Sequence, residues 1–197
     1  MPKGIPLTRK EFEEKRYEIA HKAADLILEK GYTETSVKKI AKAVGIGKST
    51  LYDYFSTKDE IIIYLLDELL AELMQGAKKI LNREESAAEC LRNVMCMHLR
   101  LLMRNKSYLL KLTLEAQKLG SKAQQDYQVR RYAYQDLIID LIDDGINEGS
   151  FRPVNSAIVM KTLMAVLSTI TFTSRPVGSP DKMLEDALDL ILKGIQA

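Results

Sequence analysis

Thr35-Ser36-Val37-Lys38-Lys39-Ile40-Ala41-Lys42-Ala43-Val44-Gly45-Ile46-Gly47-Lys48-Ser49-Thr50-Leu51-Tyr52-Asp53-Tyr54-Phe55-Ser56-Thr57-Lys58-Asp59-Glu60 reads as two short helices and the opening of a third. Thr35 and Ser36 offer an N-cap, because a hydroxyl oxygen there accepts a backbone N–H that the first helical turn leaves unpaired. Val37, Ile40, Ala41 and Val44 then fall at i, i+3, i+4 and i+7, one apolar stripe on a helix of about two turns. Gly45 stops it, Ile46 puts an apolar residue into the turn, and Gly47 opens a second short helix through Leu51 and Phe55. Two short helices joined by a glycine-containing turn of about three residues make a helix-turn-helix. Thr57, followed by Asp59 and Glu60, starts a longer helix through Ile61, Leu65, Leu69 and Leu73.

Outward from this stretch the pattern stays helical. Upstream, Phe12, Ile19, Ala20, Ala23, Ala24 and Ile27 follow helical spacing up to Gly31, and the first ten residues, with two prolines, a glycine and three basic residues, read as an arm. Downstream, helical blocks are expected from Glu84 to about Arg104, Ser107 to about Leu119, Ser121 to about Asn147, Ser156 to about Thr173 and Pro180 to Ile195. Gly149, Ser150 and Pro153 break the chain once, and Arg175-Pro176-Val177-Gly178 breaks it again. No alternating β-branched run with a tight-turn dipeptide occurs, and the fold class expected is all-α. The 197 residues suffice for a buried core, and the expected division is a small first domain at 1–56 and a larger helical one at 57–197.

The formal net charge of +2 does not by itself point to a polyanionic partner. A local imbalance does: between Thr35 and Lys58 the basic residues are Lys38, Lys39, Lys42, Lys48 and Lys58, and the only acid is Asp53. In a helix-turn-helix the second helix enters the DNA major groove by its N-terminal end while the first crosses the backbone. Lys48, Ser49 and Thr50 stand at that leading end, where unpaired N–H groups also favour phosphate. Tyr52 and Tyr54 can bond phosphates or touch a thymine methyl, and Lys58 follows within reach of the backbone. Gly45-Ile46-Gly47-Lys48-Ser49-Thr50 also resembles the phosphate loop of a nucleotide hydrolase. That loop needs a glycine where Lys42 stands and a buried strand before it, whereas 37–44 has helical periodicity.

Other chemistry is poorly supported. Cys90 and Cys96 fall on roughly opposite sides of a helix, which disfavours a disulfide, and His98 alone cannot complete a zinc site with them; no metal and no cofactor is expected. No catalytic Ser/His/Asp set stands out, so the chain is not expected to be an enzyme. Met1 to Lys10 lacks the apolar run of a secretory signal, and Ile158 to Phe172 is too short and too interrupted to span a bilayer. A cytoplasmic protein with no membrane association is expected.

The pattern Ala24…Gly31-Tyr32…Thr35-Ser36-Val37…Ile40-Ala41…Val44-Gly45…Thr50-Leu51-Tyr52…Tyr54-Phe55…Lys58-Asp59-Glu60, from about Ala20 through Leu66, resembles the TetR family of transcriptional regulators. Gly47 departs from the usual hydroxyl-bearing cap and Tyr54 from a common histidine. The resemblance implies about nine helices, the first three binding DNA, and a homodimer assembled through the last two. It also implies an effector pocket in the C-terminal region. By position, Lys38, Lys48, Ser49, Thr50 and Tyr52 match groove-facing sites, and Ser36, Tyr54 and Lys58 match backbone-contacting ones. The partners expected are double-stranded operator DNA, a second copy of the chain and a small apolar or amphipathic effector, acting on what is expected to be a repressor. Control by a protein partner is the alternative, and a helical carrier or enzyme with an unused helix-turn-helix is a more distant one.

The C-terminal region is less explicit. Leu163, Leu167 and Ile170 with Leu184, Leu188 and Ile191 belong to two helices more apolar than one amphipathic face requires, which a four-helix contact across a two-fold axis would explain. Met95, His98, Met103, Tyr108, Glu115, Tyr127 and Tyr132 combine flexible apolar groups with polar handles and are the candidate effector-pocket residues; the same set also suits a plain helical core.

Overall fold

The computed structural model describes residues 8–82 and 85–196. Among them are nine α-helices and no strand: α1 (Arg9–Lys30), α2 (Val37–Val44), α3 (Lys48–Tyr54), α4 (Lys58–Leu81), α5 (Ala87–Arg104), α6 (Lys106–Ala116), α7 (Ser121–Asn147), α8 (Ser156–Phe172) and α9 (Pro180–Ile195). The all-helical expectation is met. Most of the expected arm, residues 1–7, lies outside the described residues, as does Glu84. α1 starts two residues before the expected Glu11, because Thr8 and Glu11 form a reciprocal capping box.

The chain divides into two compact units that do not follow the sequence division at 56/57. One unit contains the residues up to Glu68 together with Leu110–Gln128, and the other contains Leu69–Leu109 and the residues from Val129 onward.

In the first unit α1 packs on α2 and α2 on α3. Ile19, Ala20, Ala23, Ala24 and Ile27 of α1 meet a core completed by Ile40, Ala41, Leu51, Phe55, Ile61, Ile62 and Leu65, all buried. The small alanines let α1 approach its neighbours closely, and Leu51 and Phe55 fasten the short α3 from one side, leaving its other side free. Gly45 ends α2 with φ 82°, ψ 26°, a left-handed conformation that costs a residue with a Cβ, and the amides of Gly45 and Ile46 both return to the Ala41 carbonyl at 3.0 Å. The Arg16 guanidinium lies 4.9 Å above Phe55 and 5.0 Å above Tyr64, and bonds Glu60 at 2.6 Å. Glu60 in turn accepts the Ser56 N–H at 2.8 Å, so α1 fixes the junction between α3 and α4.

In the second unit α5 lies against α8 and α9. Leu91, Val94, Met95 and Leu99 of α5 are buried with Leu163 and Leu167 of α8 and Leu184 and Leu188 of α9. Gly145 of α7 is needed for a close approach: a Cβ there would stand 2.4 Å from the ring of the buried Phe151. After α7 the chain is pinned back, with the Arg152 N–H donating to the Ile195 carbonyl at 2.8 Å and its Nε to the Gly194 carbonyl at 2.8 Å.

Candidate DNA interface

α2 and α3 present the one-sided charge that the sequence announces. Ser36 caps α2, its Oγ accepting the Lys39 N–H at 3.3 Å. Lys38, Lys42, Lys48, Ser49, Thr50 and Tyr52 are exposed. Gly47, at the N-cap of α3, makes no side-chain cap bond. Lys48 and Tyr52, one turn apart on α3, lean together with the ammonium 5.7 Å from the ring centre. Exposed donors thus stand over a helix whose opposite side is held by buried Leu51 and Phe55, an arrangement suited to a groove of phosphates and base edges.

Two of the expected DNA-contacting residues are engaged within the chain. Tyr54 is half-buried and stacks on Phe12 with ring centres 4.8 Å apart. Lys58 donates to the carbonyls of Tyr32 at 2.6 Å and Thr35 at 2.9 Å, and sits 3.7 Å from the Tyr32 ring centre. Burial lowers the pKa of its ammonium, while Asp59 opposes that shift. Lys58 therefore ties the α1–α2 turn to the start of α4, and the sequence offers no sign that these carbonyls would claim it.

Tyr32 collects further bonds. Its N–H donates to Glu115 at 2.6 Å and its hydroxyl to Asp59. The other Asp59 oxygen accepts the Gly120 N–H at 2.9 Å. Lys118 donates to both Glu115 oxygens at 2.9 Å. Burial alone would raise the Glu115 pKa; the Tyr32 N–H and Lys118 together outweigh it and hold the carboxyl below its usual range. Burial and then the bond to Asp59 push the Tyr32 hydroxyl pKa up.

The candidate effector residues are divided between the two units. Met95 and His98 are buried in the core of the second unit, Met103 and Tyr108 are half-buried there, and Tyr132 is exposed. Glu115 and Tyr127 belong to the first unit. His98 Nδ1 is 3.2 Å from the Tyr134 hydroxyl, and burial drives its pKa from 6.5 to about 4. A groove of about 690 Å³ lies elsewhere in the second unit, and none of those seven residues lines it. Its floor includes Met74, Leu81, Leu137 and Leu141, and its rim carries Glu85, Asp136, Asp140, Asp144 and Glu148 against Lys78.

The expected dimer residues lie largely inside one chain. Leu163, Leu167, Ile170, Leu184 and Leu188 are buried within a single chain, and Ile191 is half-buried, because α5 covers that side of α8 and α9. The sides left open are different residues. On α8 these are Ile158 (57% exposed), Thr162, Ala165, Thr169 and Phe172 (42%), spaced as one helical stripe. On α9 the uncharged ones are Leu190 (78%) and Gly194, in line with the half-buried Met183 and Ala187, while Asp181, Lys182, Glu185, Asp186 and Lys193 are exposed as well. Small residues at 165 and 194 leave room for a close approach, and the Thr162 hydroxyl is satisfied by the Ile158 carbonyl at 2.9 Å.

Residues 19–65 match the family described as bacterial regulatory proteins, tetR family, and residues 84–195 match the tetracyclin repressor-like C-terminal domain. The fatty acid metabolism regulator protein of Bacillus subtilis is 26% identical over 138 residues, 70% of this chain and 71% of that protein. The crystal structure of PfmR, a TetR-family transcriptional regulator from Thermus thermophilus, is 27% identical, with a TM-score of 0.70 over 91% of this chain and 99% of that one. FadR of Bacillus subtilis in complex with stearoyl-CoA shares the fold, with a TM-score of 0.76 at 22% identity over 91% of this chain and 99% of that one.

Proposed function

The chain belongs to the TetR family of bacterial regulatory proteins, and from that premise we propose that it is a ligand-responsive repressor that binds a palindromic operator as a homodimer. The observation that carries this reading is the exposed Lys48, Ser49, Thr50 and Tyr52 on a short helix anchored from behind by Leu51 and Phe55. Two copies related by a two-fold axis present two such helices to successive major grooves, about 34 Å apart along the DNA. Lys38 and Lys48 supply phosphate or base contacts, and Ser36 at the cap of α2 adds a backbone contact. The stripes on α8 and α9 pair with their two-fold mates to form the dimer. The protein works in the cytoplasm and performs no catalysis.

The effector we propose is a small molecule with a long apolar chain. The reading is supported by the related fatty acid metabolism regulator and by the stearoyl-CoA held by the FadR neighbour. The phosphates of a coenzyme A headgroup would be repelled by the five carboxylates around the 690 Å³ groove, so such a headgroup binds away from that rim. An effector shifts the equilibrium only by its differential affinity for the DNA-competent and released states.

The test is binding of the protein to DNA from its own upstream region and to scrambled DNA across a salt series, with and without stearoyl-CoA. Specific binding should weaken with a log–log salt slope of about 0.9 per phosphate contacted. Lys48→Ala should reduce that slope by about one such contact, and Tyr52→Ala should reduce discrimination between the two DNAs. Equal weak binding to both DNAs, together with no preferred site in a genome-wide selection on ligand-stripped protein, would end the regulator reading. Specific binding that stearoyl-CoA leaves unchanged would remove that effector and keep the rest.

A further inference from the structure

Three carboxylate-centred bonds join the corner between α6 and α7 to the turn that leads into α2. Glu115, near the end of α6, accepts the Tyr32 N–H at 2.6 Å. Asp59, in the first turn of α4, accepts the Tyr32 hydroxyl with one oxygen and the Gly120 N–H at 2.9 Å with the other. The Lys58 ammonium closes the set from the other side, on the Tyr32 and Thr35 carbonyls. Tyr32 is therefore gripped at N–H, carbonyl, ring and hydroxyl. Thr35, three residues on, is itself buried and donates its hydroxyl to the Gly31 carbonyl at 2.8 Å, immediately before the Ser36 cap of α2. Leu112 and Leu119, from the same α6–α7 segment, are buried in this unit.

We propose that Glu115 and Asp59 are positioning residues for operator binding, acting through Tyr32 to set the α1–α2 turn and hence α2 and α3. Residues 110–128 are far in sequence from the helix-turn-helix yet form part of its compact unit, and these bonds give that grouping a polar contact with fixed geometry. A bond from a carboxylate to a backbone N–H is directional and charge-assisted, so a small shift of the 115–120 corner changes what holds Tyr32, where an apolar contact would merely slide. The consequence for DNA rests on the regulator reading above. On that reading, an effector that displaces the corner withdraws Glu115 and Gly120 from the helix-turn-helix side without touching α2 or α3.

Hydrogen exchange on the free full-length protein tests the contact without DNA, and operator titration tests its consequence. In Glu115→Ala the Tyr32 amide should exchange at least about tenfold faster than in the unmodified protein, the loss expected for one charged hydrogen bond. Amides of the second unit, such as that of Ile142, should keep their rates. Operator affinity should fall about tenfold with the salt slope unchanged, because no phosphate contact has been removed. Glu115→Gln, which keeps an acceptor for the N–H, should restore most of both. Lys118→Ala, which leaves the Tyr32–Glu115 bond in place, should change either by less than about threefold. An unchanged Tyr32 exchange rate in Glu115→Ala overturns the contact. Faster exchange with unchanged operator affinity overturns the positioning role. Should the unmodified protein recognise no operator, the exchange result still stands, and the failure belongs to the regulator reading.

Discussion

His98 shows how one buried side chain makes the whole protein sensitive to acid. It is 8% exposed, its Nδ1 faces the Tyr134 hydroxyl, and burial lowers its pKa from 6.5 to about 4. The folded state thus resists a proton that the unfolded chain accepts. Stability from this group is fully present above pH 6.5 and is lost as pH falls from there toward 4, by up to about 3 kcal/mol. The expected outcome is a urea midpoint that falls steeply between pH 6.5 and 4.5 in the unmodified protein and less steeply in His98→Gln. That variant keeps a partner for Tyr134 and does not titrate. Equal slopes for the two proteins would mean that His98 is solvated in the folded state. The sequence makes His98 a candidate effector handle, and a lone histidine on an apolar helix carries no mark of which role it fills. Lys58 has the same ambiguity: its place after the helix-turn-helix suits a phosphate, but its ammonium lies on two carbonyls that no sequence pattern announces.

At the scale of the element, α7 sets two effects of opposite sign against each other at Gly145. Alanine is better than glycine inside a helix by about 1 kcal/mol. The new Cβ, however, would lie 2.4 and 2.5 Å from the Phe151 ring and 2.9 Å from the Ala87 Cβ. Phe151 is buried and its backbone is fixed, its N–H donating to the Gly145 carbonyl at 2.9 Å, so the ring has nowhere to swing. Overpacking of this kind costs about 1–3 kcal/mol or more, and the clash should win. Gly145→Ala is expected to lower the unfolding free energy by about 1–2 kcal/mol in urea melts, and adding Phe151→Leu should recover part of that loss. A stabilised Gly145→Ala would show that the α7–Phe151 contact is looser than these distances. Elements of this kind were legible in outline. Helical periodicity with Thr, Ser, Asn and Gly stops located the nine helices to within a few residues, because those signals are local. The Gly145–Phe151 contact was not legible, since glycine in a helical pattern reads the same whether it is a weak point or the only residue that fits.

For the whole molecule, the difference between what the sequence announced and what the structure assigns lies in which side of a helix faces what. The exposed positions of α2 and of the first turn and a half of α3 are legible because polar and apolar sides separate cleanly there, whereas the half-buried Tyr54 is not. α8 is apolar nearly all round, and α9 sets Leu190 among exposed charged residues, so periodicity does not separate every apolar position turned to α5 from those turned outward. Leu188 and Leu190 make the distinction testable, being two residues apart on α9 with one fully buried and the other 78% exposed. Leu188→Ala empties part of the core of one chain and should lower stability by about 2–5 kcal/mol. Leu190→Glu leaves that core intact and places a charge on the open stripe beside Ala187 and Gly194, where two-fold pairing would set it against its own copy. The expected outcome by sedimentation is a monomer in place of a dimer, with a melting temperature that no longer rises with protein concentration. Operator binding should weaken strongly even though α3 is untouched, since a monomer reaches one half-site and loses the effective concentration that links the two. Ala165→Glu on the α8 stripe should behave as Leu190→Glu does. A Leu190→Glu protein that still sediments as the dimer would place the pairing surface elsewhere on the chain.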